Sequence, residues 1–487
     1  MNRFLRPLYA ALLAVALLPA ASPLTPAEQA LLASIHAGTL KGHVSFLASD
    51  VLEGRDTPSR GLDIAAEYIA SQFRRFGLQP AAGDSYFQDA PFVQVRQPMD
   101  AFSLTLTAGS ETYQADPARA AVSAEAALSL TSVTPVVVNL VNEDDPLPPA
   151  AQVAGKPVLL FGALRGRSGF EKRAALLRLN PSVLIAAGPA YQTRERLREA
   201  TAGSPHPASV TIGDPEFARV AALPGVKLSL NIQAPAEEPV QLRNVAAVLP
   251  GSDPELSKTY LLLTAHYDHT GVLPRGEGDR INNGANDDAS GVATVLALAE
   301  AFSEAPQRPR RSIVFMTYFG EEKGLFGSRY YAAHPLFPLA RTVANLNFEH
   351  MGRTDDNEGP RAGKITATGF DYTTLGESLT EAGKLTGVEA WKHERNSDGF
   401  FGSSDNQPLA GAGIPAITVA VAWIFPDYHR PGDEWQKLDY PNMEKAVRTA
   451  ALTAERIADS AQAPRWIESN PKTAAYYKAW QHLHGQH

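Results

Sequence analysis

The sequence predicts an α/β protein built on a mostly parallel mixed sheet with helices on both faces, carrying a smaller α/β domain inserted into its chain. Three observations predict it. Between about Asn244 and Gln462, near-continuous apolar runs ("NVAAVLPG", "YLLLTA", "SIVFMTYFG", "TVANLNFE", "AITVAVAW") alternate with helical stretches such as "GVATVLALAEAFSEA", the pattern of strands buried on both faces. From Ala101 to Ala236 the chain breaks instead into short β-like pieces separated by Pro, Gly and Ala, with His206 as its one histidine. Several runs of the first region lead into acids and histidines together, whereas the second, with its single histidine, is poorly equipped for metal chemistry.

In chain order, residues 1–22 read as a secretory signal. Arg3 and Arg6 precede an apolar stretch from Leu8 to Leu18 and small residues at Ala20–Ser22, too short for a comfortable membrane span and placed for cleavage near Ala21. The expected location is periplasmic or extracellular, with no stable membrane anchor. Residues 23–100 open the main domain with helices. In "GLDIAAEYIASQFRRFGLQP", Ile64, Ala65, Tyr68, Ile69, Phe73 and Phe76 recur at helical steps and Gly77 supplies the stop. Residues 101–236 form the insert ("FSLTLTAG", "PVVVNLV", "PVLLFG", "SVLIAAG", "ASVTIG", "VKLSLNI"), and "APAEEPVQ" leads back. Residues 237–463 complete the main domain, and 464–487 are expected as a surface tail.

Composition excludes several chemistries. The chain has no cysteine, which removes disulfides, thiol nucleophiles, thiolate ligands and lipid attachment at a cysteine. A net charge of -8 without a basic run argues against nucleic acid. Any metal must therefore sit on His, Asp and Glu.

Those residues gather at the predicted strand ends, where open α/β sheets bind ligands. "YLLLTA" runs into His266, "SIVFMTYFG" into Glu321 and Glu322, "TVANLNF" into Glu349, and "AITVAVAW" leads to "DYHRPGDEW" at His429, while Asp287 and Asp288 precede a helix start. Taken singly, each has a bland explanation as a strand or helix cap. Together, His266, Asp287, Glu322, Glu349 and His429 form an oxygen and imidazole set that suits zinc. Asp287 is the candidate bridge between two ions, Glu321 the candidate base for a metal-bound water, and Asp268 the candidate acceptor for the second ring proton of His266. His269 is either a supporting hydrogen-bonding residue or a loop residue. His350 is expected to point to the opposite face of its strand, and His334 and His393 are given no role.

The motifs "HYDHTG", "NGANDDASG", "GEEKGLFGS", "NFEHMGR", "SSDNQPLAGAGIPA" and "YHRPGDEW", in this order, resemble the co-catalytic zinc exopeptidases, a family that includes bacterial leucyl-type aminopeptidases and, more distantly, glutamate carboxypeptidase and the transferrin receptor. "LASDVLEGRDTPSRGLDIAAEYIASQFRRFGLQP" extends the resemblance, and the insert resembles the protease-associated domain of many members by position and composition. The resemblance implies two zinc ions on His266, Asp287 (bridging), Glu322, Glu349 and His429, Glu321 as base, a cis peptide between Asp287 and Asp288, and peptide substrates cleaved at a terminus. An aminopeptidase leads; a carboxypeptidase or dipeptidase, a single-zinc glutaminyl cyclase and an inactive receptor-like binding protein are the alternatives. Three positions depart from common family patterns: Glu349 where simple aminopeptidases often have Asp, Phe401 where some have a carbonyl-polarising Tyr, and Asn406 where His is frequent. Terminal-residue preference and oligomeric state stay open.

Overall fold

The computed structural model describes residues 23–164, 166–189, 195–200 and 206–485; the expected signal segment lies outside them. Packing divides the chain into two units, one running up to Asp89 and resuming at Arg243, the other Ala90–Leu242. That division is wider on both sides than the 101–236 suggested by composition.

The first unit is organised by strands β1 (Ala236–Leu249, of which the part from Arg243 on belongs to this unit), β2 (Tyr260–His266), β3 (Ser312–Tyr318), β4 (Thr342–Phe348), β5 (Lys364–Ala367) and β6 (Ala416–Ala420), laid side by side as β1-β3-β2-β4-β6-β5. The pairs β3/β2, β2/β4 and β4/β6 are parallel, whereas β1/β3 and β5/β6 are antiparallel. The mostly parallel mixed sheet is therefore a parallel centre with antiparallel flanks. Its central strands are buried on both faces, as in β3, where all of Ser312–Tyr318 is buried, which is why the sequence reads as continuous apolar runs rather than alternation.

The helices around it are α1 (Ala37–Leu47), α2 (Arg60–Arg75), α3 (Ser290–Glu304), α4 (Phe326–Ala333), α5 (Asn406–Gly411), α6 (Tyr440–Asp459) and α7 (Ala474–Leu483). Phe73 of α2 and Phe302 of α3 meet Phe315 on one face. Tyr331 of α4 and Leu409 of α5 pack with Leu262, Val314 and Met316 on the other. The expected α2 forms: the Ser59 side chain caps the Leu62 N–H, and Gly77 takes φ 72 just past the end. None of the described helices is long and apolar enough to cross a membrane.

The stretch after Pro464 is a correction. It is not a surface tail: Trp466 is buried, its ring N–H donates to the Gly413 carbonyl at 2.8 Å, and its indole stacks on Tyr476. Its large aromatics, such as Trp466, Tyr476 and Trp480, each cover enough surface to dock a short segment that shows little periodicity.

The second unit holds two sheets. One runs Ala120–Ser123, Ala208–Ile212, Val183–Ala187, Pro157–Phe161, Val136–Asn139, its last four strands parallel. The other runs Glu111–Gln114, Ser103–Ala108, Lys227–Ile232, Leu128–Val133. Each of the six β-like pieces of the insert is a strand.

Candidate metal centre

His266 ends β2, and Asp287 stands in the irregular turn Ala285–Ala289 before α3. The peptide between Asp287 and Asp288 is cis. The buried Asp433 carboxylate accepts the N–H groups of Asn286 and Asp287 at 3.0 Å, which fixes how this turn presents its acid. Arg55, fully buried, ties the same turn to the His266 loop. Its guanidinium donates to the carbonyls of Tyr267 (2.9 Å), Asn283 (2.8 Å) and Gly284 (3.0 Å). Burial lowers its pKa to about 10, against the pull of Asp268, Asp287, Asp288 and Asp433. Gly291, at the start of α3, must lack a side chain, because a Cβ would stand 2.2 Å from both Asp288 Oδ2 and the Phe348 carbonyl.

The two oxygens of Asp287 face different groups. Oδ1 lies 3.2 Å from His266 Nε2 and 3.6 Å from His350 Nε2. Oδ2 lies 3.1 Å from His429 Nε2 and 3.8 Å from His269 Nδ1. Burial pushes the Asp287 carboxyl up, but the surrounding imidazoles outweigh it and hold the group well below the usual carboxylate range. Glu322 Oε1 sits 2.8 Å from His269 Nδ1 and 3.1 Å from His429 Nε2. Burial and Asp287 raise its carboxyl, and the same two rings bring it down to about 2.

Glu321 lines a cavity of about 390 Å³ together with His266, Asp287 and Glu349. Burial, then the Glu349, Asp405 and Glu322 carboxylates, push Glu321 well above the ordinary range despite the nearby His266 imidazole. Asp268 is fully buried and does more than face His266. Its Oδ1 lies 3.5 Å from His266 Nδ1 and accepts the Glu321 N–H at 3.0 Å, while Oδ2 accepts the Thr57 hydroxyl at 3.1 Å. The His266 Nδ1 is nearer the Asp268 backbone carbonyl, at 3.2 Å, than the carboxylate.

Glu349 is held from below by a relay. Ser404 and Asn347 donate to its Oε1, Asn347 also donates to the Thr418 hydroxyl at 3.1 Å, and that hydroxyl donates to Asn406 Oδ1 at 2.8 Å. Asn406 thus closes a chain of neutral hydrogen bonds leading to Glu349. Phe401 turns away from the cavity into the core, its ring 4.7 Å from Tyr372 and 5.2 Å from Tyr476. The cavity wall carries Phe400, Trp423, Ile424 and Tyr428 instead.

All five expected ligands, and Glu321, thus surround one region of the first unit. Two further histidines join them, against or beyond expectation. Strand alternation puts His350 on the far face, but β4 ends at Phe348 and His350 adopts φ 53, so alternation no longer applies and its ring lines the cavity. His269, ambiguous in sequence, is fully buried among the acids. Asp433 and Arg55 carry no sequence signal beyond lying within family-like stretches. His393 pairs with Glu358, away from these groups.

The donor chemistry fits a divalent cation. His269, Asp287, Glu322 and His429 each offer a ligand atom, all within 4.8 Å of one another. Both ring nitrogens of His269 and Oε1 of Glu322 are buried without a hydrogen-bond partner, a costly arrangement unless something else binds them.

Fold and site together define a class: an α/β protein with a carboxylate and imidazole metal centre at the carboxyl ends of a parallel sheet. Comparison adds a likeness to a family. Residues 244–454 match the model of Peptidase family M28. A probable zinc metalloprotease of Pyrenophora tritici-repentis is 37% identical over 251 residues, 49% of this chain and 55% of that protein. Aminopeptidase YwaD of Bacillus subtilis is 25% identical over 223 residues, 44% of each chain. Among solved structures, an aminopeptidase from Aneurinibacillus sp. strain AM-1 is similar in fold, with a TM-score of 0.55 at 21% identity, covering 91% of this chain and 97% of that one. The matched segment is thus similar to peptidase family M28, in line with the resemblance that its motifs carry. The chain spans about half the length of the curated relatives it matches.

Proposed function

We propose that this protein is a secreted zinc exopeptidase that binds two ions per chain and removes N-terminal residues from peptides. The observation that carries it is Asp287, whose Oδ1 and Oδ2 face separate imidazole groups at 3.2 Å and 3.1 Å, as a carboxylate shared between two cations requires. His266, Asp287 and Glu349 would hold one ion, and Asp287, Glu322 and His429 the other. Bound zinc supplies Lewis acidity, polarising a carbonyl and acidifying water.

The remaining steps fall to the chain. Glu321, kept receptive to a proton by its burial among carboxylates, takes the proton of the attacking water and passes it to the leaving amine. Its backbone is pinned by Asp268 at 3.0 Å, so the base keeps a fixed direction toward the cavity. Phe400, Trp423 and Ile424 form an apolar wall that suits an apolar terminal side chain. The inserted unit is proposed as a protease-associated domain, and export is proposed on the basic and apolar pattern of residues 1–22.

Purified protein assayed with a panel of aminoacyl nitroanilides, their N-blocked counterparts and N-terminal glutaminyl peptides, with and without chelator, tests the reading. Chelator-sensitive release from free-amine substrates alone is the expected result. Cleavage of blocked peptides from their carboxyl end, or cyclization without hydrolysis, would replace it.

A further inference from the structure

We infer that His269 is itself a metal ligand, completing the position built by Asp287, Glu322 and His429 with a second imidazole. The inference rests on the two-ion function proposed above and concerns how unequal the two positions are.

His269 is buried completely, and its presence there is arranged rather than incidental. Its backbone N–H donates to the Arg55 carbonyl at 3.2 Å. The turn ahead of Asp287 makes room for the ring with a glycine: at Gly284, φ 60, a Cβ would lie 2.6 Å from the imidazole. The ring therefore occupies space that any other residue at 284 would fill.

A hydrogen bond to Glu322 is the competing explanation, and the geometry disfavours it. His269 Nδ1 and Glu322 Oε1 are 2.8 Å apart, yet neither atom is engaged in a hydrogen bond. Two buried ligand atoms this close without a hydrogen bond between them are the pair that a shared cation would satisfy. Four-coordinate zinc with bonds of roughly 2.0 to 2.1 Å has ligand atoms about 3.4 Å apart. The observed separations scatter around that value: 2.8 Å for His269 to Glu322, 3.1 Å for His429 to Glu322, 3.1 Å for His429 to Asp287, and 3.8 Å for His269 to Asp287. The side chain of His429 is 37% exposed and that of His269 is not exposed at all, so the added ligand is the inner, shielded one.

With His269 this position has protein donors for a closed four-coordinate site, while the position of His266, Asp287 and Glu349 keeps room for water and substrate. The first fills tightly and the second exchanges.

The test counts imidazoles by X-ray absorption on protein loaded with one equivalent of zinc, alongside zinc titration against a competing chelator. Wild type is expected to show two imidazoles on the first ion. His269→Ala and the bulkier His269→Gln, checked for native circular dichroism, are expected to show one, and to bind the first zinc at least about tenfold more weakly. A single imidazole in the wild-type one-zinc form, a measurement that needs no variant, would overturn the inference and leave the two-ion function standing. So would unchanged first-site affinity in a folded variant. Wild type that binds no zinc would remove the function and the inference together.

Discussion

The two units of this chain carry the same device with different contents. Each has a parallel sheet whose carboxyl ends open on a crevice, as α/β sheets do. In the first, the parallel strands lead into His266, Glu321, Glu322 and Glu349, and the cavity is ringed by acids and imidazoles. In the second, the strands end at Asn139, Phe161, Ala187 and Ile212, and the crevice of about 280 Å³ beyond them is lined by Leu140, Phe161, Leu164 and Phe170, with Arg173 as the charged residue among the described ones. Backbone topology supplies a concave place in both, and a handful of side chains decides whether that place can hold a cation.

The sharpest way to break the contrast is to remove the shared acid. Asp287→Ala is expected to cut zinc content sharply by elemental analysis, with any remainder held by His269, Glu322 and His429, because the described residues of the second unit offer no donor set to take over; wild-type zinc content would sink the comparison. Next in size, Glu321→Gln should retain its metal and lose roughly 10² to 10⁴ in turnover of aminoacyl nitroanilides. Wild-type rates in that variant would remove Glu321 from the chemistry.

Asp433→Ala takes away the acceptor for the Asn286 and Asp287 N–H groups. Zinc affinity should fall about 10- to 100-fold with the fold retained, read by chelator competition. An unchanged affinity would mean the turn holds its shape without that carboxylate.

The smallest effect lies away from the centre, on α6. Burial, helped by Asp459 and Glu28, raises the Glu455 carboxyl from 4.5 to about 7. Below pH 4.5 the group is protonated in both folded and unfolded chains and costs nothing. As pH rises from there toward 7, the unfolded chain releases its proton first, and stability is lost. Glu455→Gln should therefore stabilise the protein at pH 8 by about 1 kcal/mol, after discounting for partial exposure, and leave it unchanged at pH 4. Denaturant midpoints at the two pH values check the sign; a gain confined to pH 4 would reverse it.

Much of this centre is legible in the sequence. His266, Glu322 and Glu349 stand directly at or just past the ends of apolar runs, and a buried strand announces itself by composition. Asp287 and His429 are legible from motif and order. Sequence reasoning misplaces His350 because strand alternation does not extend two residues past Phe348, into a residue with φ 53. It misplaces Trp466 because a docked aromatic leaves no periodic trace.

From residue order alone come the layered sheet, the interruption by a second unit and the inventory of oxygen and nitrogen donors, since each is written in local composition and spacing. Only tertiary structure decided that His269 joins Glu322, that Asp433 and Arg55 lock the turns, and that Phe401 is core. Those contacts join segments far apart in the chain, and no local pattern records which distant backbone a buried side chain will meet.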